Sequence, residues 1–298
     1  MNCPRCGSQD TIRHGHRRTG KGMVQVYLCK NCRRTFSFTP LPYINADPAL
    51  VLKGMSLYNQ GYSFAKTSSI LEGITGERCP RNTIHYWSRR YGDIFTYCRL
   101  RDRYENKRQI VAKNLGERTM RFHKKKLRAQ SERFPGIARY VSRIIRGMKI
   151  KSSDISLKAD REKNRAMLFS TLSQRISYRS PETRILEMYG DEEPTDDELK
   201  RTLLINDAYT VVTDLPLHMR SGVLSNSYLT GTLSVLQIRD GWVNLLEPSS
   251  GEDHLLTLAH LLGAGDAVVK LCGVDPRRLK LGVFDREGMW SVYYNTYQ

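Results

Sequence analysis

Four of the seven cysteines stand in two short pairs, Cys3-Pro4-Arg5-Cys6 and Cys29-Lys30-Asn31-Cys32, with 22 residues between them. Each pair aims two thiolates from one tight turn, and two such knuckles facing each other complete a tetrahedral Cys₄ site. Gly7 permits the backbone reversal after the second thiolate. Val24-Gln25-Val26-Tyr27-Leu28 alternates like the strand that leads into the second knuckle. The pattern predicts a zinc ribbon over residues 1–40. Four sulfurs fill the coordination shell, so Cys3, Cys6, Cys29 and Cys32 are expected to hold a structural rather than a catalytic zinc. Paired spacing of this kind points to metal in a reducing compartment and not to disulfides. Cys79, Cys98 and Cys272 lack a paired spacing and are read as packing residues.

Charge divides the chain. The 298 residues carry 48 Lys and Arg against 30 Asp and Glu, a net of +18. Residues 1–150 hold 31 basic and 9 acidic side chains, a net of +22, whereas residues 151–298 hold 17 and 21, a net of −4. The densest stretch, Arg101 to Ile150, has 16 basic against 4 acidic residues and includes Lys124-Lys125-Lys126. Too few acids are present to pair that charge within one solvated helix, so a polyanion partner is expected. Nucleic acid fits better than a membrane surface, because Ile137, Tyr140, Val141, Ile144 and Ile145 make only a short apolar stripe. The sequence has no run of about 18 apolar residues and no apolar signal stretch at its start, so membrane insertion and secretion are not expected. A cytoplasmic, nucleoid-associated protein is. His14 and His16 are read as surface residues near that nucleic acid.

Residues 47–95 read as three short helices. Asp47-Pro48 starts the first, with Asp as N-cap and Pro at the first helical position, and Asn59-Gln60-Gly61 stops it. Ser63 caps a second, Phe64 to Glu72. After the loop Gly73 to Pro80, Asn82-Thr83 opens a third through Ile84, His85, Trp87 and Tyr91. This is the pattern of a helix-turn-helix, with Arg81, Asn82, His85, Arg89 and Arg90 on the exposed face of the third helix and Trp87 as a core anchor. Residues 96–206 read as a basic helical connector. Its acidic turn, Asp191 to Glu198, is a solvated linker in which Thr195 caps the next helix.

Beyond residue 206 the pattern turns extended. Ala208 to Asp214 is a β-rich run ending in an acid, and Tyr228 to Arg239 is a second run. Asp240-Gly241 is a two-residue hairpin turn into Trp242 to Leu246. His254 to Cys272 has helical apolar spacing, and Leu279 to Asp285 is a further strand ending in an acid. Strand, hairpin, helix, strand is the opening half of a ribonuclease H-like fold, whose first and fourth strands lie side by side. The expected architecture is therefore multidomain α+β: zinc ribbon (1–40), helix-turn-helix (47–95), helical connector (96–206) and partial ribonuclease H-like domain (207–298). Side by side, Asp214 and Asp285 could hold Mg²⁺ ions about 3.5 to 4 Å apart for phosphoryl chemistry.

The ribbon Cys-Pro-x-Cys-Gly with Tyr-x-Cys-x-x-Cys, followed by Asn82-Thr83-Ile84-x-x-Trp87, resembles the N-terminal module of prokaryotic insertion-sequence transposases over about the first 95 residues. The final stretch is similar to DDE transposases, with Thr213-Asp214 as the first catalytic acid, Phe284-Asp285-Arg286-Glu287-Gly288 as the second, and Gly231 to Gly251 as the hairpin between. That resemblance implies binding of double-stranded DNA at element ends, a homodimer on paired ends, and Mg²⁺-dependent strand cleavage and transfer. It also implies a third carboxylate on a later helix. The chain ends 13 residues past Asp285, and Glu287 is too close to Asp285 for that role, so the third ligand is expected to be missing. A zinc-ribbon, helix-turn-helix transcriptional regulator without catalysis is the alternative, and an RNA-binding factor a further one.

Overall fold

In the computed structural model, the structure describes residues 3, 5–19, 22–37, 41, 46–101, 109–115, 118–147, 155–156, 180–220, 228–249 and 254–294. The N-terminal unit is a three-stranded antiparallel sheet in the order β1 (Thr11–Thr19), β2 (Gly22–Cys29), β3 (Thr35–Ser37). The β1–β2 register shifts between Arg13 and His16, where Gly15 takes φ 93°.

Three helices follow: α1 (Pro48–Asn59), α2 (Phe64–Thr75) and α3 (Arg81–Arg90). The predicted caps are in place. Asp47 Oδ1 accepts from the Ala49 amide and Ser63 Oγ from Lys66, while α2 runs past the expected Glu72 to Thr75, where Gly76 at φ 71° closes it in the left-handed conformation. The helices meet around Trp87, which is 1% exposed. Gly54 is what lets them close. A methyl there would sit 3.0 Å from both the Leu71 side chain and the Trp87 ring.

Residues 110–123 depart from the helical reading. β4 (Ile110–Asn114) and β5 (Thr119–His123) form a hairpin, and β5 pairs antiparallel with the first strand of the C-terminal segment. The cause is visible in β5, where Met120 and Phe122 are buried in alternation. Helices α4 (Lys124–Gln130) and α5 (Pro135–Ile145) follow, then the two-residue β6 (Ile155–Ser156), α6 (Pro181–Glu187) and α7 (Asp196–Asn206). The connector is thus part of the main sheet and its flanking layers. Thr195 caps α7 in a reciprocal capping box with Glu198, as the sequence suggests.

The C-terminal segment supplies β7 (Thr210–Arg220), β8 (Tyr228–Arg239), β9 (Trp242–Pro248), α8 (His254–Cys272), β10 (Leu279–Phe284) and β11 (Met289–Tyr293). Asp240 and Gly241 turn β8 into β9 with φ 51° and 86°, as a two-residue hairpin with both central residues left-handed requires. The sheet runs β11-β10-β9-β8-β7-β5-β4, with β6 beside β8.

This order corrects the ribonuclease H-like expectation. β10 pairs in parallel with β9, not with β7, because α8 carries the chain back to the β9 edge while β5 occupies the free edge of β7. A second correction concerns Asp214, which lies in the middle of β7 and not at its end.

Two hydrophobic cores flank the sheet. On one side α4, α5 and α8 pack through Leu127, Ile137, Tyr140, Val141, Ile144, Leu258, Leu261 and Val268. The apolar stripe of α5 therefore faces the interior. On the other side, the core of α1–α3 is continuous with Ile185, Leu199 and Leu203 of α6 and α7 and with Val235, Leu246 and Phe284 of the sheet. Buried polar contacts tie the same parts together. Asn59 donates to Asn206 Oδ1 at 2.9 Å, and Thr96 donates to Asp207 Oδ1 at 2.8 Å.

Candidate functional site

The two knuckles converge. The sulfurs of Cys3, Cys6, Cys29 and Cys32 all lie within 4.8 Å of one another, with Cys3–Cys32 at 3.7 Å and Cys6–Cys29 at 3.5 Å. Four thiolates at the usual zinc–sulfur distance in a tetrahedron stand about 3.8 Å apart. The donor set and its spacing therefore fit a structural Zn²⁺. The fold brings them together simply: Cys29 closes β2, and the Gly7 amide returns to the Cys3 carbonyl at 2.9 Å with Gly7 at φ 72°. The thiols share the strain of crowding. Backbone donors, led by the Cys32 amide, hold Cys29 below the ordinary thiol range, while burial and the neighbouring sulfurs push Cys32 up to about 12. A divalent cation relieves that competition, since each thiolate then meets positive charge. Among the described residues, no other group of three or more His, Cys, Asp or Glu side chains converges in this way.

The predicted contact face of α3 is present as a face. Arg81, Asn82, His85, Arg89 and Arg90 are exposed, while Ile84 and Trp87 point into the core. His85 stands edge-on to Phe64, with ring centroids 5.3 Å apart. No side chain caps the N-terminus of α3.

The lysine triplet divides. Lys124 is exposed and Lys125 half-buried, but Lys126 is buried and is not available to a nucleic acid. Its Nζ donates to the Leu204 carbonyl at 2.6 Å and to the Asp207 carbonyl, and it lies over the Tyr97 ring. Burial pushes this ammonium down to about 7, against the pull of Asp207. Its role is to satisfy the last carbonyls of α7. Among the other cysteines, Cys79 and Cys272 are buried and Cys98 donates to Asn59 Oδ1 at 3.1 Å, so packing roles fit all three.

Asp214 and Asp285 are not brought together. β8 and β9 lie between their strands, a separation of about 14 Å at ordinary strand spacing, against the roughly 4 Å of a two-metal pair. Asp214 instead accepts from Lys200 Nζ at 2.6 Å, and Lys200 also pairs with Asp196. Burial alone would lower the Lys200 ammonium, but the two carboxylates outweigh it and hold it above its ordinary range. Asp214 sits at φ 52°, a conformation that strains any non-glycine residue in mid-strand. Close by, half-buried Glu247 accepts the Ser234 amide at 3.0 Å and the Ser234 hydroxyl. Burial pushes its carboxyl up, with Ser234 and Lys200 opposing.

Asp285 directly follows β10 and works differently. Its Oδ1 accepts the Glu287 and Gly288 amides, and its Oδ2 lies 2.7 Å from His254 Nε2 at the start of α8. Both line an open cavity of about 660 Å³ with Glu193, Asp196, Ser249 and Arg286. The cavity lies at the carboxyl ends of the parallel strands β9 and β10, where α/β sheets commonly receive ligands.

Sequence reasoning missed Lys200, Glu247 and His254. Lys200 stands in the charged run Asp196 to Arg201, where nothing sets it apart from its neighbours, whereas Glu247, directly after the apolar pair Leu245-Leu246 in a β-rich run, does carry a signal of pairing. His254 had no local signal.

A scan against protein-family models finds no match, and searches of curated proteins and of solved structures find none either.

Proposed function

We propose that this chain is a sequence-reading duplex-DNA-binding protein, with a Zn²⁺-loaded Cys₄ ribbon and a helix-turn-helix built from α1, α2 and α3. The observation that carries the reading is the division of α3: one face holds Ile84 and Trp87 in the core, and the other exposes Arg81, Asn82, His85, Arg89 and Arg90. Arg and Asn are the side chains that read guanine and adenine edges bidentately, and the wide major groove of B-form DNA admits such a helix whereas duplex RNA does not. The net +22 of residues 1–150 supplies the phosphate attraction. The resemblance to insertion-sequence transposases makes element ends the expected target. A regulator would use the same DNA-binding half.

Strand transfer through Asp214 and Asp285 is not part of this reading, because two strands separate them. One observation favours a second, transposase-type reading: the strained backbone of Asp214 beside buried Lys200 and half-buried Glu247 is the kind of cost that active sites carry. That reading would require other carboxylates, or a rearranged sheet, to complete an Mg²⁺ pair.

Selection of the purified full chain on a random duplex library tests the proposal. A consensus should emerge that Asn82→Ala and Arg89→Ala degrade, and single-stranded or duplex RNA should compete weakly. Absence of a consensus, or equal competition by RNA, overturns it. Incubation with selected DNA and Mg²⁺ should leave the strands intact. Cleavage abolished by Asp214→Ala would establish the second reading instead.

A further inference from the structure

We infer that the outer face of the N-terminal sheet is a second duplex-DNA contact, gripping phosphates through Arg13 and Arg18 independently of the bases read by α3. The inference rests on the duplex-DNA reading above.

The β1–β2 register carries the argument. Arg13 lies opposite Tyr27, His16 opposite Gln25 and Arg18 opposite Met23, while Ile12 and Arg17 lie opposite Leu28 and Val24. Directly opposed residues share a face. Arg13, His16 and Arg18 therefore stand together with Met23, Gln25 and Tyr27, and Arg17 stands on the side of Val24, Val26 and Leu28. Strict alternation would have put Arg13 with Gly15 and Arg17. The extra residue between Arg13 and His16, with Gly15 at φ 93°, shifts the phase by one and brings Arg18 onto the Arg13 face.

The two faces differ in chemistry. One is apolar through Val24, Val26 and Leu28, with Val26 buried and Ile12 and Arg17 exposed beside them, whereas the other exposes Arg13, His16 and Arg18 together with Met23. Tyr27 stacks on Phe36 at 5.8 Å between centroids, which stiffens the outer face across β2 and β3. Charge complementarity names the occupant. From Thr11 to Ala46 the chain holds 7 Lys and Arg and no Asp or Glu, and Asp10, just before it, pairs with Lys30 at 3.4 Å. A rigid strand presenting Arg13 and Arg18 on one face, about 14 Å apart because they stand opposite Tyr27 and Met23, offers two point contacts to a polyphosphate backbone. Gln25 on this face commits its side-chain amide to the Gly15 and Val26 carbonyls, at 2.7 and 2.8 Å, and the two arginines meet phosphate as cations, so the face adds affinity and salt dependence and not sequence preference.

The test measures duplex affinity of the full chain against salt, by fluorescence anisotropy. Arg13→Ala with Arg18→Ala should weaken binding on the order of tenfold and reduce the slope of log K against log salt by about 1.8, at about 0.9 for each phosphate left unneutralised. The selected consensus and the zinc content should not change. Arg17→Ala, on the opposite face, should have little effect, and Arg13→Lys with Arg18→Lys should retain most of the affinity because the charge remains. Unchanged affinity and slope in the double alanine variant would overturn the inference. So would an equal loss in Arg17→Ala, which signals diffuse charge, or a loss seen only on single-stranded DNA, which signals stacking on Tyr27 and Phe36. If the double alanine variant loses its zinc, Arg13→Gln with Arg18→Gln takes its place, with the same loss of affinity and slope expected and unchanged values overturning the inference. Wild-type chain that ignores duplex DNA altogether would instead sink the underlying function.

Discussion

Lys200 Nζ bridges Asp214 Oδ1, at 2.6 Å, and the carboxylate of Asp196 one helical turn earlier, so a single ammonium fixes the start of α7 against the middle of β7. The Lys200 side chain is 4% exposed and that of Asp214 11%. A pair so desolvated is costly to break from one side only.

Lys200→Met should therefore destabilise the fold by about 3 to 5 kcal/mol, because it strands a buried carboxylate. Adding Asp214→Asn should recover much of that loss. Urea denaturation of the two single variants and the double closes the cycle, and additive losses would show that the pair is not coupled.

Lys124 and Lys126 should separate cleanly. Lys126→Ala leaves the Leu204 and Asp207 carbonyls without their donor and should cost about 2 to 4 kcal/mol of stability. Lys124→Ala, at an exposed position, should stay within about 0.5 kcal/mol. Thermal unfolding of each variant distinguishes them.

His123 gives a pH dependence with a defined sign. Burial, helped by the Lys126 charge, lowers its imidazole to about 3 from the ordinary 6.5. The unfolded chain then binds the extra proton between these values, so this group's contribution is intact above about pH 6.5 and is lost as pH falls toward 3. His123→Asn keeps an acceptor for the Lys126 amide and should flatten that part of the stability profile. An unchanged wild-type-to-variant difference between pH 7 and pH 4 would refute the assignment.

Gly136 lies where α5 crosses the end of α8. A methyl built there would fall 1.5 Å from the Cys272 carbonyl oxygen, inside any possible contact. Gly136→Ala should destabilise the chain by several kcal/mol, although alanine is the better helix former. A variant as stable as wild type by urea titration would mean that the two helices can separate at no cost.

Much of the fold was legible because its signals are local. Asp240-Gly241 demands left-handed backbone whatever surrounds it. The span of α8 follows from apolar spacing, and the ribbon from thiolates that must converge on one ion. What stayed hidden depends on distant partners. The alternation of Met120 and Phe122 is two residues deep and lies in a basic stretch, so β5 reads as helix until β7 is there to pair with it. Three consecutive lysines look alike in sequence, yet helix phase turns each by about 100° and sends Lys126 inward. Asp214 looked like a strand terminus because an acid closes the β-rich run there, but β7 continues through Leu215 and Pro216. Whether β10 joins the meander beside β7 or beside β9 is a choice between two edges. No local pattern records it, and the fate of the Asp214–Asp285 pair rests on that choice alone.

The shared core of α1–α3 with α7 and the sheet, reinforced by Asn59 on Asn206 and Thr96 on Asp207, leaves the proposed reading head no hinge of its own. Such a molecule is a ruler and not a tether. Two copies meeting through their bodies would hold their third helices at one fixed separation and one fixed rotation about the double helix. Inserting five base pairs between half-sites, which turns one of them to the opposite side of the duplex, could not then be absorbed by a swinging domain.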